Sequence, residues 1–202
     1  MASTKRAERA NQCTIIEPTT THISGNEFEY SLHTFPKTFQ REFDHIFSKE
    51  YLVSNSSIPN PNPNPNNENL TLLAIPISIP TSLDLVMVGP DIALEKDRLL
   101  EVFKSIALSL HTSLQSQNFW LDFIDPCSAL PMLTESLKLR QRYFSEVEGF
   151  QTLLGYKQMD CSGCKVLLHP RFGTKFYPGT ILAHAPVSIV EELLKDSFTK
   201  IV

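Results

Sequence analysis

The chemistry-bearing residues gather in one stretch, Asp160-Cys161-Ser162-Gly163-Cys164-Lys165. Two thiols three positions apart, with a glycine between them, can face one another across a turn. Lys165 beside Cys164 favours its thiolate electrostatically, whereas Asp160 beside Cys161 disfavours one. A redox pair at this spacing normally precedes a helix whose N-terminal dipole lowers a thiol pKa. Here the following residues, Cys164 to His169, read as a strand stopped by Pro170, which speaks against an oxidoreductase. A structural zinc site needs two further ligands, and His169 and His184 are the nearby offers, without a second cysteine pair. Composition by itself points to inert thiols, since free cysteine behaves as a small buried hydrophobe. Asp122 and Asp125 sit three apart in an apolar run, a spacing that sends two strand residues to opposite faces. Asp122 reads as an aspartate capping a nearby turn, because a buried carboxylate cannot stay unpaired. There is no glycine-rich phosphate loop and no nucleophile elbow.

A chain of 202 residues is expected to form one domain that buries roughly 70% of its unfolded surface, so neither a disulfide nor a metal is needed to hold it. A net charge of −4 argues against a nucleic-acid binder. No apolar run approaches the roughly 18 residues that span a membrane, and no apolar leader is seen near the start. Four cysteines, Cys13, Cys127, Cys161 and Cys164, are too few for a disulfide scaffold and fit free thiols in a reducing compartment.

Residues 1–27 show no apolar period and are expected to be a flexible N-terminal segment, followed by a single α+β domain over 28–202. Phe28 to Leu32 alternates like a strand. Pro36 opens a helix to about Lys49, with Phe39, Phe43, Ile46 and Phe47 as its apolar stripe. A Pro/Asn-rich loop covers 58–68. Leu70 to Ile79 and Leu83 to Val88 read as an antiparallel hairpin turned by Pro80-Thr81-Ser82. A long helix from about Leu94 to Ser116 buries Leu99, Phe103, Ile106, Leu110 and Leu114, with His111 at the boundary of that face. The run Phe119 to Asp125 reads as a strand buried on both faces, at the centre of the core. Leu133 to Tyr143 reads as a helix exposing Lys138, Arg140 and Arg142, and Glu148 to Leu154 as a further helical turn. Pro178 to Ala185 is a strand joined to Cys164–His169 through Gly173-Thr174. A last helix follows Ser188 as N-cap, with Glu191 completing a capping box and Ile189, Leu193, Leu194 and Phe198 as its apolar face. Strands arriving as hairpins favour helices packed on a mostly antiparallel sheet.

Several of these stretches together resemble one family. Phe119-Trp120-Leu121-Asp122-Phe123-Ile124-Asp125-Pro126 is similar to its aromatic-Trp-x-Asp-Phe-Ile-Asp-Pro run. Cys164-Lys165-Val166 with His169 and Gly173-Thr174 resembles its Cys-Cys-Lys-Val…His…Gly-Thr segment. Leu99-Leu100-Glu101 with Phe103, and Arg41-Glu42-Phe43 with Phe47, fit its earlier elements in order. The family is the methylmalonic aciduria and homocystinuria type D protein family, and the similarity runs from about Phe28 to Leu194.

That resemblance implies a nitroreductase-like α+β fold and an intracellular cobalamin-trafficking adaptor rather than an enzyme. It implies a partner, the cobalamin-processing type C protein, with the cofactor held by that partner and none bound by this chain alone. The route then leads to methionine synthase and methylmalonyl-CoA mutase. A thiolate of the family's adjacent cysteine pair would ligate the partner's cobalt, a soft ligand on a transition metal. Continuous alignment places Cys164 at the second cysteine and Gly163 at the first, so Cys164 is the first candidate ligand. Cys161, expected on the looser and more exposed side of the strand start, is the second. The short N-terminus leads to the expectation of cytosolic residence, with a mitochondrial pool as the alternative. The competing function is a small flavin- or thiol-dependent reductase on the same fold, which would need a phosphate grip that the sequence does not display.

Overall fold

The computed structural model describes residues 13–23, 25–36, 39, 47, 69–134, 143–161 and 163–199. Their framework is a five-stranded sheet in the order β1-β2-β3-β7-β4, in which every pairing is antiparallel. Its strands are β1 (Thr14–Ile23), β2 (Asn26–Thr34), β3 (Thr71–Pro80), β4 (Trp120–Phe123) and β7 (Phe176–Ala185). A separate hairpin joins β5 (Lys157–Cys161) to β6 (Cys164–Leu168). The helices among the described residues are α1 (Pro90–Gln115), α2 (Glu146–Leu154) and α3 (Val187–Thr199). The expectation of an α+β domain with a mostly antiparallel sheet holds.

Alternation along the strands divides the interior. Leu73, Ile75, Ile77 and Ile79 of β3 and Ile181, Ala183 and Ala185 of β7 face the main core with Phe28, Tyr30 and Leu32 of β2. α1 covers this face with the expected stripe, since Leu99, Phe103, Ile106, Leu110 and Leu114 are all buried. Pro90 at the first helical position suits the start of α1, where a missing N–H costs nothing. Asn118, at φ 63, then turns the chain from α1 into β4. α3 seals the far end: Val190, Leu194 and Phe198 are buried, and the Phe198 ring meets Phe28 at 5.1 Å and Tyr30 at 4.8 Å edge-on. α1 lies so close to β7 that a Cβ on Gly179 would come within 2.6 Å of the Phe103 ring.

The opposite face of the sheet is different. β2 turns Glu29, Ser31 and His33 to it, all buried. Burial pushes the imidazole of His33 down to about 4 and keeps it neutral between Ser31 (2.8 Å) and Thr14 (3.2 Å). A second apolar cluster joins Phe39 and Phe47 to Ile124, Phe144, Leu153 and Leu182 on this side. Pro76 interrupts the β2–β3 ladder, which passes from Tyr30–Ile77 to His33–Ala74, because proline has no N–H to donate.

Five expectations are corrected. Residues 14–23, placed in the flexible end, form β1; their polar outer rim (Glu17, Pro18, Thr19, Thr20) hides the strand from a periodicity reading. Leu83–Val88 is not a strand and makes no hairpin with β3, which pairs instead with β2 and β7. The segment coils because side chains take its N–H groups: Thr81 accepts from Leu83 and Asp84 accepts from Val86. β4 lies at the end of the strand order rather than at its centre, pairing with β7. It is buried nonetheless, because residues 125–134 fold back along it: Ile124 bridges Pro131 and the Met132 N–H reaches the Phe123 carbonyl. Residues 133 and 134 are not helical, whereas 135–142, with Lys138, Arg140 and Arg142, lie outside the described residues. α3 begins at Val187, so Ser188 sits inside the first turn instead of capping it. Phe39 and Phe47 are buried as expected, while Phe43, the Pro/Asn loop and the rest of the helix after Pro36 lie outside the described residues.

Gly179→Ala is expected to destabilise the fold by about 1–3 kcal/mol, the range for overpacking a dense core. Urea unfolding would show a lowered midpoint, partly restored when Phe103→Leu is added. Equal midpoints for Gly179→Ala and the parent would contradict the close approach.

Candidate functional site

The two candidate thiols stand at the tip of the β5–β6 hairpin as direct register partners, Cys161 opposite Cys164. Gly163 allows the turn, since its φ of +85° is a conformation that other residues adopt only with strain. Both are free thiols, and the expected order of exposure is reversed: Cys164 is exposed and Cys161 half-buried. Lys165 stands opposite Asp160 across the hairpin. The two charges named in the sequence as competing influences on the thiols therefore face each other. β6 begins at Cys164, as expected, so the pair is followed by a strand and not by a helix.

β5 escaped the sequence reading because Lys157, Met159 and Asp160 are exposed and give no apolar alternation. What holds the hairpin against the sheet is a buried polar cluster. The Tyr156 hydroxyl donates to Glu29 Oε1 at 2.9 Å, and His169 Nε2 lies 2.9 Å from the same oxygen. His169 Nδ1 accepts from the N–H groups of Arg171 (3.1 Å) and Phe172 (3.3 Å), so the ring proton resides on Nε2 and is donated to Glu29. Burial acts most strongly on Glu29 and would raise its pKa. The bonds from His169 and Tyr156, with the electrostatic influence of the His169 ring and of the Arg171 guanidinium, together outweigh it and hold the carboxyl below its ordinary 4.5. His169 and Gly173 exchange backbone bonds of 2.9 Å, closing the loop before β7, and Phe172 stacks on the His169 ring at 4.3 Å. His169 is thus a fixed member of this cluster. His184 lies half-buried on β7 opposite Trp120. Among the described residues no group of three or more His, Cys, Asp and Glu side chains is arranged to hold a metal ion.

Asp122 behaves as a turn cap, as read from the sequence. Its carboxylate accepts from the N–H groups of Phe123, Met132, Leu133 and Thr134 and from the Thr134 hydroxyl. Asp125 serves its own turn, accepting from Cys127 and Ser128. The two carboxylates are therefore structural.

Cys161, Cys164 and Lys165 are among the residues lining a cleft of about 750 Å³, a size typical of small-molecule sites. Leu85, Val88 and Leu100 also line it, together with Phe176 and Tyr177 of β7 and Val147 of α2. Two of the lining residues with no role assigned from the sequence are Cys127, exposed after β4, and Glu146. Glu146 is the first residue of α2, placed there by Ser145, whose hydroxyl accepts the Glu148 N–H as N-cap. The pattern Ser145-x-x-Glu148 was the available signal for that helix start. Burial drives the Glu146 pKa up to about 8, against the opposing hydrogen bonds from Thr180. The first turn of a helix favours an anion by only about 0.3–1 kcal/mol. A rise of several pKa units, at ~1.4 kcal/mol each, is the larger effect. Burial likewise raises the Tyr177 pKa, reinforced by the nearby Asp125, Cys127, Glu146 and Asp97.

Fold and site together define an α+β protein that presents free thiols on the rim of a largely apolar cleft. The chain belongs to the methylmalonic aciduria and homocystinuria type D protein family, whose model matches residues 2–194. It is 25% identical over 169 residues to the proteins named cobalamin trafficking protein CblD of rat and of human, covering 82% of this chain and 49% of each relative. The chicken protein of that name is 29% identical over 109 residues, covering 52% of this chain and 34% of its own length. The chain spans about half the length of the curated relatives it matches.

The two buried carboxyls should leave opposite marks on stability. The Glu29 pKa is lowered, so its contribution is present above 4.5 and is lost as pH falls through the folded value. The Glu146 pKa is raised, so the native state holds a proton that the unfolded chain releases, and stability falls as pH rises from 4.5 to about 8. Urea midpoints from pH 4 to 9 are expected to lose the decline above 4.5 in Glu146→Gln and part of the acid-side loss in Glu29→Gln. Parallel curves for all three proteins would show that neither carboxyl is so perturbed.

Proposed function

We propose that this chain is a cobalamin-trafficking adaptor, not an enzyme, that binds the cobalamin-processing type C protein in the cytosol. It helps to route the cofactor toward methionine synthase and methylmalonyl-CoA mutase, with cobalamin as cargo held by the partner. Family membership and the names of the relatives support this reading. The observation that carries the mechanism is the exposed Cys164 thiol at a hairpin tip, with Cys161 opposite it. A thiolate there is presented outward on a rigid two-stranded element, as contact with a cobalt centre in another protein requires. Sulfur is a soft donor suited to such a metal and would protect the reactive centre during hand-over. Cys164 is favoured as the ligand because it is the more exposed of the two. Gly163, where the family has its first cysteine, gives the turn its shape and leaves the ligation to its neighbour.

The test is an absorption titration of cobalamin-loaded type C protein with the parent chain, Cys161→Ser and Cys164→Ser. A cobalt–thiolate spectrum is expected with the parent and with Cys161→Ser, and none with Cys164→Ser. Complex formation on gel filtration without any spectral change in the parent would overturn ligation and leave a scaffold that recruits the partner without touching its metal.

A further inference from the structure

The hairpin tip holds a relation between its two thiols that ligation of a metal by one of them does not use. Cys161 and Cys164 stand opposite each other in an unbroken antiparallel register that begins at Lys157 and Leu168. Opposed residues of such a pair send their side chains to the same face, with Cβ atoms about 4.5–5.5 Å apart. Both thiols are free, Cys164 exposed and Cys161 half-buried. The register is held from the far ends of the strands: Tyr156 precedes β5, His169 follows β6, and both bond the buried Glu29 carboxylate. The pair therefore cannot slip out of opposition without breaking that cluster. We propose that Cys161 and Cys164 are a reversible dithiol–disulfide site, oxidised by a low-molecular-weight disulfide and reopened by the corresponding thiol.

The exchange balances through two attacks. The exposed Cys164 meets the external disulfide first; its sulfur attacks one of the two sulfurs, forming a mixed disulfide and releasing one thiol. Cys161, fixed opposite, then attacks the Cys164 sulfur, closing the intrachain bond and releasing the second thiol. Two electrons pass from the cysteines to the external disulfide, and the two cysteine protons leave with the released thiols. This is a modification of the chain and not an oxidoreductase activity. Only Ser162 and Gly163 separate the cysteines, so the cross-link removes little freedom from the unfolded chain and adds little stability. Its role is thus not that of a structural staple. A disulfide holds its Cβ atoms about 3.5–4.5 Å apart, closer than opposed strand residues usually stand. Strained and exposed disulfides are the readily reduced ones, which makes this bond reversible by a thiol pool. Where Cys164 serves as a cobalt ligand, oxidation withdraws its thiolate; that consequence rests on the reading proposed above, whereas the disulfide itself does not.

The full chain is to be equilibrated in buffers of reduced and oxidised glutathione, quenched with acid, alkylated and digested with trypsin. Cleavage after Lys157 and Lys165 places both cysteines in one peptide, 158–165. Cys127, an exposed thiol in the turn after β4, is the internal reference, and oxidant is raised until it carries glutathione. The 158–165 peptide is then expected to be lighter by two hydrogens and closed to alkylation. Its ratio of disulfide to dithiol should exceed the ratio of glutathionylated to free Cys127 by at least roughly tenfold, because the second attack is intramolecular. Excess reduced glutathione should restore both alkylation sites. Cys161→Ser, with the parent's circular dichroism, should leave Cys164 stopped at the mixed disulfide. The proposal is overturned by a parent peptide alkylated at both cysteines, by one that retains glutathione on Cys164 without closing, by either cysteine linked to Cys127 instead, or by a bond that reduced glutathione does not reopen. The assay contains neither cobalamin nor the type C protein. A failed cobalt–thiolate spectrum therefore leaves the redox pair standing, and a failed oxidation leaves ligation standing.

Discussion

The carboxylate of Glu29 is the point on which the arrangement of the site depends. It projects from β2 into the buried side of the sheet and gathers a phenol and an imidazole onto one oxygen. The imidazole in turn spends its other nitrogen on two backbone N–H groups of the loop that leads into β7. Ser78 of β3 adds a further bond to the phenol. Two β-strands, the end of α2 and the hairpin with its loop are thereby tied at a single buried place. In a low-dielectric interior such a cluster is rigid when complete and costly when broken. The cluster thus confers geometric precision on an element that, as an isolated two-stranded hairpin, would be marginal in water.

The two faces of the sheet divide the labour. One face is paved with branched aliphatic residues and phenylalanines under α1 and α3, and supplies most of the apolar burial. That frees the other face to carry groups a core would ordinarily exclude: Glu29, His33, Asp122, Glu146 and Thr180. Each is buried, and most have found partners. Asp122 fastens the return segment over β4, so the strand at the end of the order is sealed without another strand beside it. The apolar side determines that the chain folds; the polar side determines what it can present.

Much of the first kind of information was legible in the sequence, and less of the second. The stripe of α1 and the long apolar strands β3 and β7 are periodic because each packs over its whole length against other elements. β1 and β5 were missed because their outer positions are polar, and a strand that lies at a margin need not alternate. The run Leu83–Val88 imitated a strand because its apolar residues serve the cleft, where periodicity is not required. Cys161 and Cys164 could be placed across a turn from spacing alone, as the register confirms. Glu146 could not be singled out, because its character comes from burial beside Thr180, a residue 34 positions away. His169 was named from the sequence, but its role with Glu29 spans 140 positions and has no local signature.

One feature of β1 bears on how the molecule behaves in a crowded solution. Among the described residues this strand pairs with β2 alone, and so presents a margin of the sheet. Pro18 removes a donor from it, and its register against β2 slips between Thr14 and Ile16 and again between Ile16 and Thr19. A second strand approaching that margin would find no continuous row of donors and acceptors to copy. Irregularity of this kind is how β-proteins avoid edge-to-edge aggregation. The untidiest strand of the sheet thereby helps to keep separate copies from polymerising.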